Sequence, residues 1–251
     1  VERIRIHGFA LEDNLEKNTV DREVFVFLPP GYAKDKRRRY PVVYALHGYS
    51  IGAEQWTKEI HVPQTIEGAV ALGAKEMIVV LPDSKTLHNG SMYSSSATVG
   101  DFENYIARDV VAYIDRHYRT IPNRMSRGLV GHSMGGYGAV KTALRHPDLY
   151  GTVSSVSGAL IPFGWKDLER YNWVARFTLM RIFGKDEKDN SLDENDPWIV
   201  LWRRCFDRPP FQAHLRGGSE DLYGLERVAV QYGMLLNEHG VPTTVIVEPG
   251  T

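Results

Sequence analysis

The sequence holds one cysteine, Cys205, in 251 residues, so no disulfide framework can form within the chain and the residue reads as a small core side chain rather than a catalytic thiol. No apolar run approaches the ~20 residues that a membrane-spanning helix needs. Charge of one sign is also missing. Thirty Lys and Arg against 31 Asp and Glu leave a net charge of -1, which gives no reason to expect nucleic acid or an anionic membrane as a partner. Metal-ligand spacing and a phosphate-cradling glycine loop are absent, so no cofactor and no metal is expected. An initiating methionine is absent too. The chain opens on Val1, and the expectation is that a signal peptide, a preceding domain or a tag has been removed.

What is present suits one sizeable core, with 43% hydrophobic residues. The chain is organised around Gly128-Leu129-Val130-Gly131-His132-Ser133-Met134-Gly135-Gly136-Tyr137-Gly138-Ala139. An apolar strand-like run leads into Gly-x-Ser-x-Gly, and small residues then open a helical pattern. This reads as a nucleophile elbow, in which a strained turn lifts a serine hydroxyl clear of the sheet. The flanking glycines follow from crowding, and the helix after Ser133 aims unpaired N–H groups at a developing oxyanion. The alternative is a glycine-rich turn in which Ser133 only caps the helix.

Around it, strand and helix signals alternate. Residues 3–6 and 23–28 read as an opening antiparallel pair, and 41–46 and 77–81 as strands buried on both faces. Strands are also expected at 150–156, 211–215 and 243–247, with helices at 63–72, 101–117 and 223–239. The basic run at 34–39 reads as a solvated loop. After the 41–46 strand comes His47-Gly48-Tyr49-Ser50, and the Tyr49 N–H is the expected second oxyanion donor beside that of Met134. Trp56 either lines the pocket or covers the core. The polar loop at 84–100, which carries Tyr93, follows the carboxyl end of a strand, where ligands bind in such sheets. Asn89-Gly90-Ser91 in that loop is first a turn signal, and a glycosylation acceptor only in a eukaryotic secretory setting.

From 159 to 211 the pattern becomes aromatic and irregular. It contains Trp165, Tyr171, Trp173, Phe177, Phe183, Trp198 and Trp202 and a charged run at 185–189. Two readings stand: a cap over the pocket, with Trp198 as a substrate contact, or amphipathic helices with their aromatics in the core. Asp221, on the loop after the 211–215 strand, fits the acid in the chain order serine, acid, histidine. Glu220 competes with it, and a turn aspartate capping the next helix is the structural alternative. None of the nine histidines suits the base: His47 and His132 sit inside the site motifs, His146, His214 and His239 lie at a helix end, in a strand and in a turn, and His7, His61, His88 and His117 precede Ser133.

The segments Tyr40-Pro41-Val42-Val43-Tyr44-Ala45-Leu46-His47-Gly48, Gly100-Asp101-Phe102-Glu103-Asn104-Tyr105-Ile106, Gly131-His132-Ser133-Met134-Gly135-Gly136, Arg145-His146-Pro147-Asp148-Leu149-Tyr150 and Gly217-Gly218-Ser219-Glu220-Asp221 together resemble the esterase D-like branch of the α/β-hydrolases. That group holds the feruloyl and acetylxylan esterases of carbohydrate esterase family 1, S-formylglutathione hydrolases and bacterial mycolyltransferases. The resemblance implies an α/β-hydrolase fold over 1–251, a mostly parallel sheet flanked by helices with an insertion at 159–211. It implies Ser133 as nucleophile, Asp221 as triad acid and the Tyr49 and Met134 N–H groups as oxyanion hole. The triad histidine is then expected just beyond Thr251. The implied activity is ester hydrolysis through an acyl-enzyme on a small-molecule or polysaccharide-linked substrate, a feruloyl esterase first. Acetylxylan esterase, S-formylglutathione hydrolase-like thioesterase and acyltransferase are the enzymatic alternatives; a catalytically inactive fold that binds carbohydrate or protein is the other class. A polysaccharide substrate would require a secreted or periplasmic enzyme, with the cytoplasm as alternative.

Overall fold

The computed structural model describes residues 1–162, 173–183, 191–203 and 211–250. Its frame is an eight-stranded sheet with the order β1-β2-β4-β3-β7-β8-β9-β10. The strands are β1 (Glu2–His7), β2 (Asp21–Phe27), β3 (Val42–Leu46), β4 (Ile78–Pro82), β7 (Arg127–His132), β8 (Thr152–Val156), β9 (Gln212–Gly218) and β10 (Thr243–Glu248), and a separate two-residue ribbon pairs β5 (Ser95–Ser96) with β6 (Gly100–Asp101). The pairs β1/β2 and β2/β4 are antiparallel and every other neighbouring pair in the large sheet is parallel. This is the α/β-hydrolase architecture that the resemblance implies.

Alternation along the central strands explains their continuous apolar runs. Val24, Val26, Val42, Tyr44, Leu46, Ile78 and Val80 enter the larger core on one face, while Phe25, Phe27, Ala45, Val79 and Leu81 enter a smaller core on the other. Successive side chains point to opposite faces, so a strand covered on both sides must be apolar throughout. The smaller core is closed by α2 (Ala53–Lys58), and Trp56 is buried there against these residues. Of the two readings of Trp56, its packing is that of a residue covering the core. It lies on the apolar inner side of a short helix, and nothing in that environment calls for a ligand.

The remaining helices are α1 (Gly31–Lys34), α3 (Val62–Ala71), α4 (Phe102–Asn104), α5 (Val111–His117), α6 (Met134–Arg145), α7 (Trp173–Phe183), α8 (Ser191–Asn195), α9 (Pro197–Arg203) and α10 (Leu225–Glu238). The helix expected at 101–117 is broken, because Tyr105–Val110 forms a wider π turn between α4 and α5. Helix α6 is buried at every position from Met134 to Leu144. It lies between the sheet and α9, so no face of it reaches water. The part of the 159–211 insertion described here is tied to the body: Ile182, Phe183, Leu192, Val200, Leu201 and Phe211 belong to the larger core. Trp165, Tyr171, the run at 185–189 and Cys205 lie outside the described residues. Among the described residues no helix is long and apolar enough to cross a membrane.

Candidate active site

Parallel register brings the carboxyl ends of five strands, β3, β7, β8, β9 and β10, to one edge of the sheet. Leu46 pairs with Gly131, His132 with Val156, Val156 with Arg216, and Gly218 with Glu248. The loops that follow these residues carry Tyr49, Ser133 and Asp221.

The chain leaves β7 at His132 and enters α6 at Met134, so one residue must turn the backbone, and Ser133 does so at φ 54°, ψ -115°. A non-glycine residue holds such a conformation only where its surroundings over-determine it. Here they do. The Ser133 N–H donates to the Val156 carbonyl at 3.0 Å, and its own carbonyl accepts from the Tyr137 and Ala159 N–H groups at 3.1 Å each. A Cβ on Gly131 would fall on the Gly135 carbonyl, and one on Gly135 would fall on the Leu46 carbonyl. Both glycines are thus demanded by backbone contact. The Ser133 side chain makes no capping hydrogen bond to α6, so its hydroxyl is not spent on helix capping.

The loop after β3 is built around His47, whose ring is fully buried. The Ser84 N–H donates to Nε2 at 2.8 Å, so Nδ1 carries the proton and donates to the Gly48 carbonyl at 2.9 Å. Burial pushes this imidazole below its usual pKa, against the pull of the Gly48 carbonyl and the Asp83 charge, and so keeps it in that neutral form. Because a trans peptide is planar, holding the Gly48 carbonyl fixes the Tyr49 N–H on the opposite edge of the same plane. A Cβ on Gly48 would stand 3.7 Å from the Ser133 Cβ, which places this peptide beside the serine. Among the described residues, neither the Tyr49 N–H nor the Met134 N–H donates a hydrogen bond. Two donors close to Ser133 are therefore free for a ligand atom. The role of the His47 ring was not foreseen; a histidine that ends a doubly buried strand, where a charge could not stay, was the available signal.

The 84–100 loop packs onto this one. The Ser50 N–H donates to the Asn89 carbonyl at 2.8 Å, and a Cβ on Gly90 would come within 2.6 Å of Met134 Sδ and 2.7 Å of the Tyr49 ring. Tyr93, on this loop, belongs to the larger core. It is fully buried, and its hydroxyl donates to the His47 carbonyl at 3.1 Å. Trp198 is half-buried and is likewise occupied: its Nε1–H donates to the Leu160 carbonyl at 2.6 Å and its ring meets Tyr232 edge-on at 5.4 Å. It anchors the segment next to Ala159, which bonds Ser133, and shows no free polar edge for a substrate.

Asp221 follows β9 and makes the turn contacts of a helix-capping aspartate. Its Oδ1 accepts from the Tyr223 N–H at 2.8 Å and the Leu225 N–H at 3.4 Å, which orients the carboxylate, while Oδ2 makes no hydrogen bond among the described residues. Its charge reaches His132, whose pKa is lowered by burial and raised in turn by Asp221. The Ser219 N–H donates to the Glu248 carbonyl and the Glu220 N–H to the Gly250 carbonyl, both at 2.8 Å, so the chain leaving β10 runs beside Asp221. Other histidines are engaged elsewhere: His7 with Asp21 and Glu12, His88 with Glu16, His146 with Glu103, and His117 stacked on Tyr113. Among the described residues no group of three His, Cys, Asp or Glu side chains could hold a metal ion.

Comparison with known proteins shows the family and the fold. The family model described as "Putative esterase" matches residues 17–231. An endo-1,4-beta-xylanase/feruloyl esterase of Xylanibacter ruminicola is 30% identical over 211 residues, 73% of this chain and 28% of its own length. The chain thus spans about a quarter of the length of the curated relatives it matches, an esterase of Mycobacterium tuberculosis also being covered over 28%. Among solved structures, a ferulic acid esterase superposes with a TM-score of 0.77 at 25% identity, covering 99% of this chain and 89% of that one. The S-formylglutathione hydrolase of Staphylococcus aureus shares the fold, with a TM-score of 0.70 at 18% identity over 99% of this chain and 90% of that one. The elbow serine, the two free N–H groups and the matched model lead to one conclusion: the chain belongs to the esterase family.

Proposed function

We propose that this chain is a serine carboxylic-ester hydrolase that releases hydroxycinnamates such as ferulate from plant polysaccharide. The observation that carries the reading is the strained Ser133, its side chain making no capping bond, beside the Tyr49 and Met134 N–H groups, which donate no hydrogen bond among the described residues. The xylanase/feruloyl esterase relative supports the acyl group and suits an exported enzyme. Ser133 Oγ attacks the ester carbonyl as its proton passes to a histidine, and the carbonyl oxygen becomes an oxyanion held by the two N–H groups. Collapse expels the alcohol, which takes the proton from the histidine, and water then repeats the attack on the acyl-enzyme to release the acid. Asp221 orients that histidine and stabilises its charge. The reading keeps its histidine just beyond Thr251; the bond from the Glu220 N–H to the Gly250 carbonyl, which carries the chain leaving β10 past Asp221, supports that placement. The described part of the 159–211 insertion packs on the body.

Ferulate release from methyl ferulate by the full-length protein, beside Ser133→Ala, tests the reading. Release that disappears in the variant is expected. No release from methyl ferulate, from acetyl esters or from thioesters would overturn it. Preference for S-formylglutathione would transfer the substrate assignment to the thioester class that the S. aureus neighbour represents.

A further inference from the structure

We propose that Lys141 and Tyr93 are positioning residues that set the orientation of the 47–49 backbone beside Ser133. Lys141 stands two turns into α6 and is fully buried, an environment in which an ammonium group is costly unless its donors are all used. They are: Nζ donates to the Tyr93 carbonyl at 2.6 Å and to Asn195 Oδ1 at 2.7 Å, and lies 3.0 Å from Glu103 Oε2. An ion pair with Glu103 would by itself be an ordinary core device. The bond to Tyr93 is different, because it grips a main-chain carbonyl in a segment where Met92 and Tyr93 take φ values of 51° and 45° in succession. These two residues form the centre of a turn closed by the Ser94 N–H on the Ser91 carbonyl, and Lys141 holds the carbonyl of its second central residue from the elbow helix.

The consequence is carried onward by the Tyr93 side chain. A Cβ on Gly138 would come 2.6 Å from Tyr93 Cγ, so the ring lies flat against α6 where only glycine leaves room. From there its hydroxyl reaches the His47 carbonyl. The His47–Gly48 peptide is thus held by Tyr93 and the Gly48–Tyr49 peptide by the His47 ring. One buried cation on the elbow helix thereby references both sides of the oxyanion site to the same helix that carries Ser133. This deepens the esterase reading and rests on it for the kinetic part of the test.

Tyr93→Phe removes a single oxygen and keeps the ring, and Lys141→Met removes the cation while Glu103 keeps Arg145 and His146. In the full-length protein, kcat for methyl ferulate should fall about 30-fold in Tyr93→Phe, about 2 kcal/mol in the barrier, with KM within about twofold. Hydrogen exchange in residues 46–52 should quicken about tenfold while β7 and β8 stay protected. Lys141→Met should show the same pattern, and the double variant should be no worse than Lys141→Met alone. Unchanged exchange in 46–52, multiplicative losses in the double variant, or a change confined to KM would each overturn the proposal. If the wild-type chain hydrolyses no ester, the esterase reading fails, and the exchange measurement still decides whether Tyr93 and Lys141 hold the loop.

Discussion

His47 gives the sharpest test of how the oxyanion site is assembled, because its two ring nitrogens do separate jobs. Nδ1–H holds the Gly48 carbonyl and Nε2 receives the Ser84 N–H. His47→Asn keeps a donor near the place of Nδ1 and loses the acceptor for Ser84; His47→Gln reaches the place of Nε2 and leaves the Gly48 carbonyl unheld. Each variant orphans one buried backbone group, so each should lose roughly 1–3 kcal/mol of stability, and by similar amounts. Their kinetics should part. With the Gly48 carbonyl free to turn, the planar peptide turns with it and the Tyr49 N–H leaves its aim. Misaligning one oxyanion donor costs about 100-fold or more in kcat, so His47→Gln should fall by that factor and His47→Asn by less than about tenfold. The assay is steady-state hydrolysis of methyl ferulate, corrected for active sites by titration with a fluorophosphonate. Equal losses in the two variants, or a larger loss in His47→Asn, would refute the reasoning that the ring acts by orienting that peptide.

Three further outcomes follow from the same structure. Gly135→Ala would drive a methyl group into the Leu46 carbonyl, where neither strand nor helix can yield, and should cost about 3 kcal/mol in urea unfolding along with most ester hydrolysis. Trp56→Ala should cost roughly 3–5 kcal/mol through the cavity it leaves among Phe25, Phe27 and Leu81, yet leave KM within about twofold; a large change in KM would restore Trp56 to the pocket. At Glu103, burial raises the pKa, but Lys141, His146 and Arg145 outweigh it and bring the carboxyl from 4.5 to about 2. The unfolded chain takes up this proton near its ordinary value and the folded chain only near 2. The stabilisation, on the order of 3 kcal/mol, is therefore complete above about pH 4.5 and lost as pH falls toward 2. Urea midpoints of the wild type and Glu103→Gln should converge over that window, and parallel curves would exclude the mechanism.

The fold was legible because its strongest signals are local. Runs such as Ile78–Pro82 and the glycines around Ser133 state both period and crowding in adjacent residues. The turn at Ser133 was legible for the same reason. What was not legible depends on which of two faces a side chain meets. Trp56, Tyr93 and Trp198 lie on two helices and a loop between strands, and nothing in their neighbours' types distinguishes a pocket wall from a core filler or a hydroxyl spent on a buried carbonyl. The clamp made by the His47 ring was hidden too, since Ser84 is 37 residues away in sequence and meets it only through the β3–β4 pairing. The π turn at Tyr105–Val110 has no counterpart in the hydrophobic period, which reads the same through it.

The bonds from Ser219 and Glu220 to the carbonyls of Glu248 and Gly250 tie the loop that bears Asp221 to β10, one of the two edge strands of the sheet among the described residues and one with little of its surface buried. An edge strand of that kind opens on its own, well below the free energy that melts the centre. The acid loop therefore shares the fate of an edge strand, while Ser133 is held by strands from the middle of the sheet. Rising urea should then disarm the enzyme while β3, β7 and α6 remain folded, so that loss of turnover comes at lower denaturant than loss of helical signal, and the nucleophile outlasts the group that serves it.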